Sequence, residues 1–212
     1  MIDPVEIPSI VATDPNDNAL LFGICYDLER GKGNDENCSV ILKYGMKRDF
    51  NKWLDSLGES APVASLTELR NFNTAHQAAG AIRYGQAQLD ISDQMDVEAD
   101  AARFRADRDK DLRLARTEGL DVALRKHELD ALLMPSWFGE ELLNKAGYPA
   151  VIVPYTTIPN DLSPALPADF DPLPARFGVA FYGTACSESR LIELAYAFEQ
   201  ISKGRVMPPA FP

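Results

Sequence analysis

The sequence feature that most constrains the fold is the stretch LDALLMPSWFGEELLNKAGYPAVIVPY, residues 129–155. It contains two short apolar runs, 131–134 and 150–153, and each run ends at a proline. Short apolar runs are typical of buried strands. The proline explains why each run ends there, because it lacks the N–H that continues a strand ladder. Residues 138–146 between them fit a short helix. A strand, a helix and a strand of this length predict a βαβ crossover whose two strands run parallel.

The sequence that follows completes a sheet and covers it. Residues 155–175 are rich in proline and are expected to form a long surface loop. Alternating apolar residues predict a third strand at 177–182, and its long return favours antiparallel pairing with a neighbour. Ser187 is expected to cap a last helix with one apolar face. Together these elements predict an α/β fold, with a mixed sheet flanked by helices.

The first 128 residues are expected to be mainly helical, and residues 129–212 to carry the βαβ unit, the antiparallel strand and the final helix. Apolar spacing and capping residues predict helices at 14–30, 39–57, 65–76 and 121–127, and charged residues at helical spacing indicate a further helix at 93–117. The helix at 65–76 begins with the capping box Ser-Leu-Thr-Glu. Asp and Arg residues fill 93–117, and Arg103, Asp107, Lys110 and Asp111 are interpreted as pairs on a solvated helix face.

Composition excludes several classes of partner. The formal net charge is −11 and the isoelectric point is near 4.6. Nucleic acid and anionic membrane surfaces both require a basic patch, so neither is an expected partner. No apolar run reaches the roughly 18 residues of a membrane-spanning helix. The start, MIDPVEIPSI, lacks the basic and apolar regions of a signal peptide, so we expect a cytoplasmic protein.

The cysteines point to the same compartment. Cys25, Cys38 and Cys186 are scattered and odd in number. This pattern is not that of a disulfide framework, and no C-x-x-C pair indicates a metal site. We therefore interpret the three thiols as buried small apolar groups or as surface groups without a role.

The common catalytic motifs are missing from the sequence. It has no G-x-S-x-G elbow and no glycine-rich phosphate loop, and its two histidines, His76 and His127, stand apart on helical stretches. No catalytic residue, cofactor or metal is predicted from the motifs. Ser136, Trp137 and Phe138 follow the first strand of the crossover, where ligands gather in open α/β sheets. They are candidates for the lining of a substrate pocket, although an aromatic residue there also fits simple packing.

Several segments resemble the amidase signature enzymes, in order and over nearly the whole chain. The segments are Asp3-Pro4-Val5, LKYGMKRDFNKWLDSL with Lys47, Asp49, Asn51 and Leu54 in matching places, SLTELRNFN, Asp130-Ala131-Leu132 to Pro135-Ser136, Ala146 to Pro154, Gly178 to Gly183, and Glu188 to Glu199. The resemblance implies an amide hydrolase. It also implies that the chain corresponds to the C-terminal portion of that fold.

The same resemblance implies what the chain lacks. Enzymes of this family use a lysine and two serines as a proton relay, and those residues lie in the N-terminal half of the family fold. The sequence has no Ser-Ser pair and no Gly-Gly-Ser stretch. We therefore expect a C-terminal amidase portion that is inactive alone, and that self-associates or pairs with the missing half. In that case Val5, Ile7, Tyr44 and Trp53 would be exposed. The alternatives are a non-catalytic amidase-like module that binds another protein, and a hydrolase with an unrecognised site.

Overall fold

Two compact units make up the chain. The computed structural model describes residues 1–26, 28, 31–32, 34–136, 138–158 and 174–207. The helical unit comprises Ser9–Leu114, and the sheet unit comprises Met1–Pro8 and Ala115–Pro212. Among the described residues, no helix has the length and apolar character that crossing a bilayer requires. The organisation of 1–212 as one amidase-type domain stays a prediction.

The helical unit is built from short helices around one long one. Its elements are α1 (Pro8–Val11, which begins at the last residue assigned to the sheet unit), α2 (Ile41–Leu57), a 3-10 turn (Gly58–Ser60), α3 (Leu66–Ala75), a second 3-10 turn (Gln77–Ala79), α4 (Ala87–Asp93) and α5 (Ala101–Leu112). The core around α2 contains the buried residues Cys25, Cys38, Val40, Tyr44 and Met95. The predicted helices at 39–57 and 65–76 are confirmed as α2 and α3.

The start of α3 has the predicted capping arrangement. The Ser65 hydroxyl accepts a hydrogen bond from the Glu68 N–H at 3.2 Å. The Glu68 carboxylate in turn accepts from the Ala64 N–H at 2.8 Å. These bonds satisfy donors that have no partner inside the helix, which explains why the capping sequence locates this helix correctly.

The predicted helix at 14–30 is wrong for the residues that the structure describes there. The Asn18 side-chain oxygen accepts from the N–H groups of Leu20 and Leu21. Its amide nitrogen donates to the carbonyls of Ile10 and Ala12. Such bonds from a short polar side chain compete with the helical ladder and hold the backbone in turns.

The predicted helix at 93–117 begins later and runs further. Asp96 accepts from the N–H groups of Glu98 and Ala99, so the chain turns before α5 begins at Ala101. After α5 a π-helical segment, Arg113–Leu120, leads into α6 (Asp121–Lys126). The expected gap between the helices at 93–117 and 121–127 is therefore wrong, because the wider π turns carry the backbone through it.

The interpretation of the α5 acids as a solvated face is also wrong. Asp107 is 6% exposed and Asp111 is fully buried. Asp107 accepts from the Val40 N–H at 3.0 Å, and Asp111 accepts from the Ser39 hydroxyl at 2.6 Å. These carboxylates lie at the N-terminus of α2, where helix N–H groups need acceptors and negative charge is favourable. The predicted i,i+4 pair of Arg103 with Asp107 is confirmed.

The sheet unit confirms the α/β class and corrects the predicted strand order. Its remaining elements are β1 (Leu132–Pro135), α7 (Glu140–Ala146), β2 (Ala150–Ile158), β3 (Ala175–Tyr182) and α8 (Glu188–Ser202). The order is β1-β3-β2, and both pairings are antiparallel. β1 and β2 therefore run in the same direction, as predicted, but they do not pair, because β3 lies between them. The sheet is antiparallel throughout and not mixed as predicted. The central position suits β3 because its last three residues are buried, whereas Leu133 and Ile152 on the edge strands are about half exposed.

β2 continues beyond the predicted strand and carries an irregularity. The register shifts between Pro154 and Thr156, so Tyr155 is an extra residue opposite β3. Proline cannot donate to the ladder, and a bulge beside it accommodates this loss. The predicted loop at 155–175 is thus wrong at both ends, since β2 ends at Ile158 and β3 begins at Ala175. Residues 159–173 lie outside the described part of the chain.

The exposure expected for four apolar side chains is mostly wrong. Ile7 and Tyr44 are buried and Val5 is partly buried, whereas Trp53 is 53% exposed. Tyr44 is buried because its ring stacks on Phe104, with 4.5 Å between centroids, and its hydroxyl donates to the Val97 carbonyl at 2.6 Å.

Candidate functional site

Two of the predicted pocket residues, Ser136 and Phe138, lie in a turn at the end of β1. The Ser136 N–H donates to the Gly178 carbonyl at 3.0 Å, which extends the β1–β3 pairing by one residue. The Phe138 N–H donates to the Pro135 carbonyl at 2.9 Å and closes the turn. Ser136 is partly buried, and Phe138 is 47% exposed. Trp137 lies outside the described residues, and the assignment of all three residues to a substrate pocket stays a prediction.

Tyr182 and Gly139 stabilise the shape of this turn, the first by a hydrogen bond and the second by its backbone conformation. The Tyr182 hydroxyl donates to the Phe138 carbonyl at 2.9 Å. Burial, and then the negative charge of Glu140, raise the pKa of this phenol, so it remains a protonated donor at neutral pH. Gly139 has φ 83°, and a Cβ there would lie 3.1 Å from the Met134 sulfur. Glycine is therefore required at 139 for both conformation and space.

Gly178 leaves a part of the sheet beside Ser136 without a side chain. A Cβ at this glycine would lie 3.1 Å from Ile152 Cγ2 and 3.6 Å from Ser136 Cβ. Ile152 is 56% exposed beside it. Ser136, Gly178 and Ile152 thus form a shallow, largely apolar surface that we call the strand-end surface.

The chemistry of the strand-end surface is limited to contact. Within the described part of the chain, the Ser136 hydroxyl makes no hydrogen bond to a lysine, a histidine or a carboxylate. A serine needs such a base to become a nucleophile at neutral pH. The surface offers apolar area and a hydroxyl to a ligand or to another protein segment, and no activated group.

A cavity lies elsewhere, in the helical unit, and sequence reasoning missed it. Its volume is about 610 Å³, and its lining consists of Lys32, Asp35, Glu36, Asn37, Val40, Met95, Asp100 and Arg103. One wall is the loop before α2, and the other is the segment from Met95 into α5. The Lys32 ammonium lies 3.0 Å from the Asp100 carboxylate and joins the two walls.

A disulfide closes the loop that forms the first wall. Cys25 and Cys38 are bonded and fully buried, which corrects the prediction that these thiols have no bonding role. The sequence pattern failed because a single bridge between residues 13 apart has no local signature. Cys186 is a free, exposed thiol, and this agrees with the prediction.

Two charged side chains, the buried Lys43 and the exposed Arg103, support the same cavity. Lys43 on α2 is fully buried, and its ammonium lies 2.6 Å from Asp35 Oδ1. Arg103 donates to the backbone carbonyls of Asp35 and Cys38, both at 3.0 Å. A lysine on the same helix face as Tyr44 and Leu54 was the one available signal, because a charged residue at a core position requires a buried partner. The sequence does not reveal which partner that is.

Comparison with known proteins relates the chain to amidases. The chain is 29% identical over 154 residues to an Arthroderma benhamiae protein described as an amidase, which covers 68% of this chain and 24% of that protein. It is 26% identical over 180 residues to an Arabidopsis thaliana protein described as an amidase, covering 84% and 32%. No family model matches.

Solved structures agree with the sequence relatives. The native peptide amidase from Stenotrophomonas maltophilia matches with a TM-score of 0.64 and 34% identity, over 81% of this chain and 34% of that chain. A structure of the peptide amidase PAM with the competitive inhibitor chymostatin matches with a TM-score of 0.63 and 33% identity. The chain is thus related to amidases, and it spans about a third or less of the length of each of these relatives.

Proposed function

We propose that this chain is the C-terminal portion of an amidase-type hydrolase of the signature family, acting in hydrolysis of the C–N bond of an amide. The observation that carries the proposal is the 34% identity and TM-score of 0.64 to the Stenotrophomonas maltophilia peptide amidase over 81% of the chain. Because that relative is a peptide amidase, a peptide amide is the first substrate to test. A cytoplasmic location is part of the same proposal, and in that reducing compartment the Cys25–Cys38 disulfide would be open to reduction.

The catalytic groups would come from outside these 212 residues. The lysine and two serines that the family resemblance implies require a Ser-Ser pair and a Gly-Gly-Ser stretch, and the sequence has neither. Ser136 lacks a base among the described residues and does not replace them. We therefore propose that the chain alone does not hydrolyse amides.

The surface of the sheet unit supports a role for a missing portion. β1 and β2 are the outer strands of the sheet, and β2 is nine residues long. A long outer strand has unpaired N–H and C=O groups along one side, and proteins normally cover or pair such an edge. Ile152 and Phe138 expose about half of their side chains in the same unit. We propose that the catalytic portion covers this region, and that the isolated chain self-associates without it.

The alternative of a non-catalytic binding module is less well supported. Each of the relatives reported above is described as an amidase. Exposed apolar side chains alone fit either proposal, and the amidase relationship favours the first of them.

A chimeric enzyme tests the proposed function. This chain would replace the matched third of the Stenotrophomonas maltophilia peptide amidase, and release of ammonia from a peptide amide would be measured. We expect turnover by the chimera and none by the isolated chain. A matched chimera in which the donor's nucleophilic serine is replaced by alanine controls for contaminating hydrolases.

Two results would contradict the proposal. The first is a chimera that is folded by circular dichroism yet inactive, which would show that the chain cannot complete an amidase. The second is amide hydrolysis by the isolated chain that Ser136→Ala abolishes. That result would favour an independent hydrolase with its nucleophile at the end of β1.

A further inference from the structure

Three potential metal ligands meet in the helical unit beside the cavity. One ligand atom each from Cys25, Asp35 and Cys38 lies within 4.8 Å of the others. Both sulfurs are fully buried and joined as a disulfide. Asp35 is only partly buried and belongs to the cavity lining. The cluster is thus reached from the cavity through the carboxylate.

We propose that this cluster is a redox-controlled site for a thiophilic divalent cation such as Zn²⁺. A dithiol reductant opens the disulfide: the bond takes up two electrons and two protons, and the dithiol becomes a cyclic disulfide. Each of the two thiols then releases its proton as a metal–sulfur bond forms. In the oxidised form the sulfurs are bonded to each other, so two of the three ligands are lost.

The ligand set suits zinc. Zn²⁺ binds cysteine thiolates and carboxylate oxygens in tetrahedral geometry, and three protein ligands leave one position for water or another ligand. The cavity of about 610 Å³ reaches Asp35 and provides room for that fourth ligand. Hard cations such as Mg²⁺ prefer oxygen ligands and are not expected here.

Nearby positive charges balance the site. Two thiolates and one carboxylate carry three negative charges, one more than a divalent cation neutralises. Lys43 lies 2.6 Å from Asp35 Oδ1, and Arg103 donates to the carbonyls of Asp35 and Cys38. A carboxylate has several lone pairs on two oxygens. Asp35 can therefore accept a hydrogen bond from Lys43 and bind a metal ion at the same time. Hydrogen bonds of this kind orient metal ligands.

The backbone keeps the two cysteines adjacent after the bond between them is opened. The Cys25 N–H donates to the Ser39 carbonyl at 2.9 Å, and the Ser39 N–H donates to the Gly23 carbonyl at 2.8 Å. These two bonds form a parallel bridge beside the disulfide. Arg103 adds a third tie through the Cys38 carbonyl. The reduced thiols therefore remain within reach of one ion.

Metal titration of the reduced protein tests the site. The full chain would be reduced with a phosphine, freed of reductant under argon and titrated with Co²⁺ as a spectroscopic probe for Zn²⁺. We expect one equivalent of Co²⁺ to give a thiolate-to-metal charge-transfer band that Zn²⁺ abolishes, and the oxidised protein to give no band. Asp35→Asn should weaken binding on the order of 100-fold, since even outer-shell substitutions cost 10–100-fold.

Alkylation of the wild-type chain provides a test that depends on no variant. Zn²⁺ should protect Cys25 and Cys38 from alkylation in the reduced protein, and should leave Cys186 reactive. Cys186→Ser should keep the cobalt band, whereas Cys25→Ser and Cys38→Ser should each lose it. Three results would overturn the proposal: a band that depends on Cys186, a reduced and folded protein without a band, and loss of near-ultraviolet circular dichroism on reduction.

Discussion

The helical unit and the sheet unit are each stabilised by a different kind of interaction. In the helical unit, a disulfide and buried ionic contacts surround the start of α2, including the Lys43–Asp35 pair and the Asp107 carboxylate. In the sheet unit, α8 packs Leu191 and Ala195 onto an apolar sheet face. The first arrangement depends on a few partners, each at a fixed distance. The second depends on apolar area, which many side chains share.

This difference predicts different sensitivities. A buried charge that loses its partner costs far more than the net contribution of the pair, because the remaining charge stays out of water. Truncating a buried apolar side chain lowers stability by an amount that depends on the apolar area removed and on the cavity that is left. Replacing a single buried polar residue should therefore lower the stability of the helical unit most. Shortening a buried apolar side chain should lower the stability of the sheet unit most. The measurements below use urea-dependent hydrogen exchange with mass spectrometry, which reports each unit separately.

The largest effect is expected for Asp35→Ala in the helical unit. The substitution removes a carboxylate that is 2.6 Å from the fully buried ammonium of Lys43. We expect the free energy of unfolding of this unit to fall by about 4 kcal/mol, within the range for breaking a buried pair. The neighbouring Glu36 is exposed, so Glu36→Ala should cost no more than about 0.5 kcal/mol. Equal effects of the two substitutions would contradict the importance of this ion pair.

The next largest effect is expected for Leu191→Ala in the sheet unit. Leu191 is fully buried in the cluster with Val153 and Phe181. Removal of a buried leucine side chain costs about 3.5 kcal/mol, in the middle of the usual range. Ile192, one residue further, is 58% exposed and gives the matched control Ile192→Ala. We expect amide exchange in α8 to be faster in Leu191→Ala than in Ile192→Ala. The reverse order would show that α8 packs through its other face.

Removal of the disulfide follows in size. Cys25→Ala combined with Cys38→Ala should lower the stability of the helical unit by about 3 kcal/mol under metal-free, oxidising conditions, because the unfolded chain regains the freedom that a loop of this length had lost. Cys186→Ala should have little effect, since this thiol is free and exposed. A double variant as stable as the control would mean that the surrounding hydrogen bonds hold the loop without the bridge.

A smaller effect is expected for Tyr148→Phe in the sheet unit. The Tyr148 hydroxyl donates to Asp121 at 2.6 Å and accepts from Arg116 at 2.9 Å. Loss of these contacts with charged groups should cost about 1.5 kcal/mol. Tyr196 is 63% exposed, so Tyr196→Phe is the control and should be silent. If both variants match the wild type, polar contacts contribute nothing measurable to this unit, and its contrast with the helical unit is sharper than proposed.

The same contrast explains how far sequence reasoning reached. The sheet unit could be predicted from local patterns, because apolar runs and helical spacing at residues such as Leu191 record burial directly. Its strand order could not, since β3 enters between β1 and β2 through a long connection. In the helical unit, Asp107 has the same local pattern as a solvated acid, and only its distant partner Val40 makes it structural. Of the predicted site, Ser136 and Phe138 do share a turn. For the cavity around Asp35, the sequence offered only Lys43 at a core position, without the partner that the lysine requires.

Asp93 provides the mildest test, through pH. It lies at the end of α4 in the helical unit. Burial acts to raise the pKa of this carboxyl, but hydrogen bonds from Thr67 and Arg70, and then the charge and hydrogen bond of Lys47, outweigh burial and lower it. Thr67 Oγ1 and Arg70 Nη1 lie 2.7 and 2.6 Å from its two oxygens. The folded unit therefore favours the ionised form more than the unfolded chain does.

The sign of the pH dependence follows from this lowered pKa. The stabilisation by Asp93 is fully present above the unfolded pKa of about 3.9 and is lost as the pH falls towards the lower folded value. We expect the stability difference between wild type and Asp93→Asn in the helical unit to shrink between about pH 5 and pH 2. Exchange from the sheet unit provides the internal control, because the two proteins should agree there at every pH. A difference that stays constant on acidification would mean that Asp93 acts through hydrogen bonds that asparagine cannot form, and not through its charge.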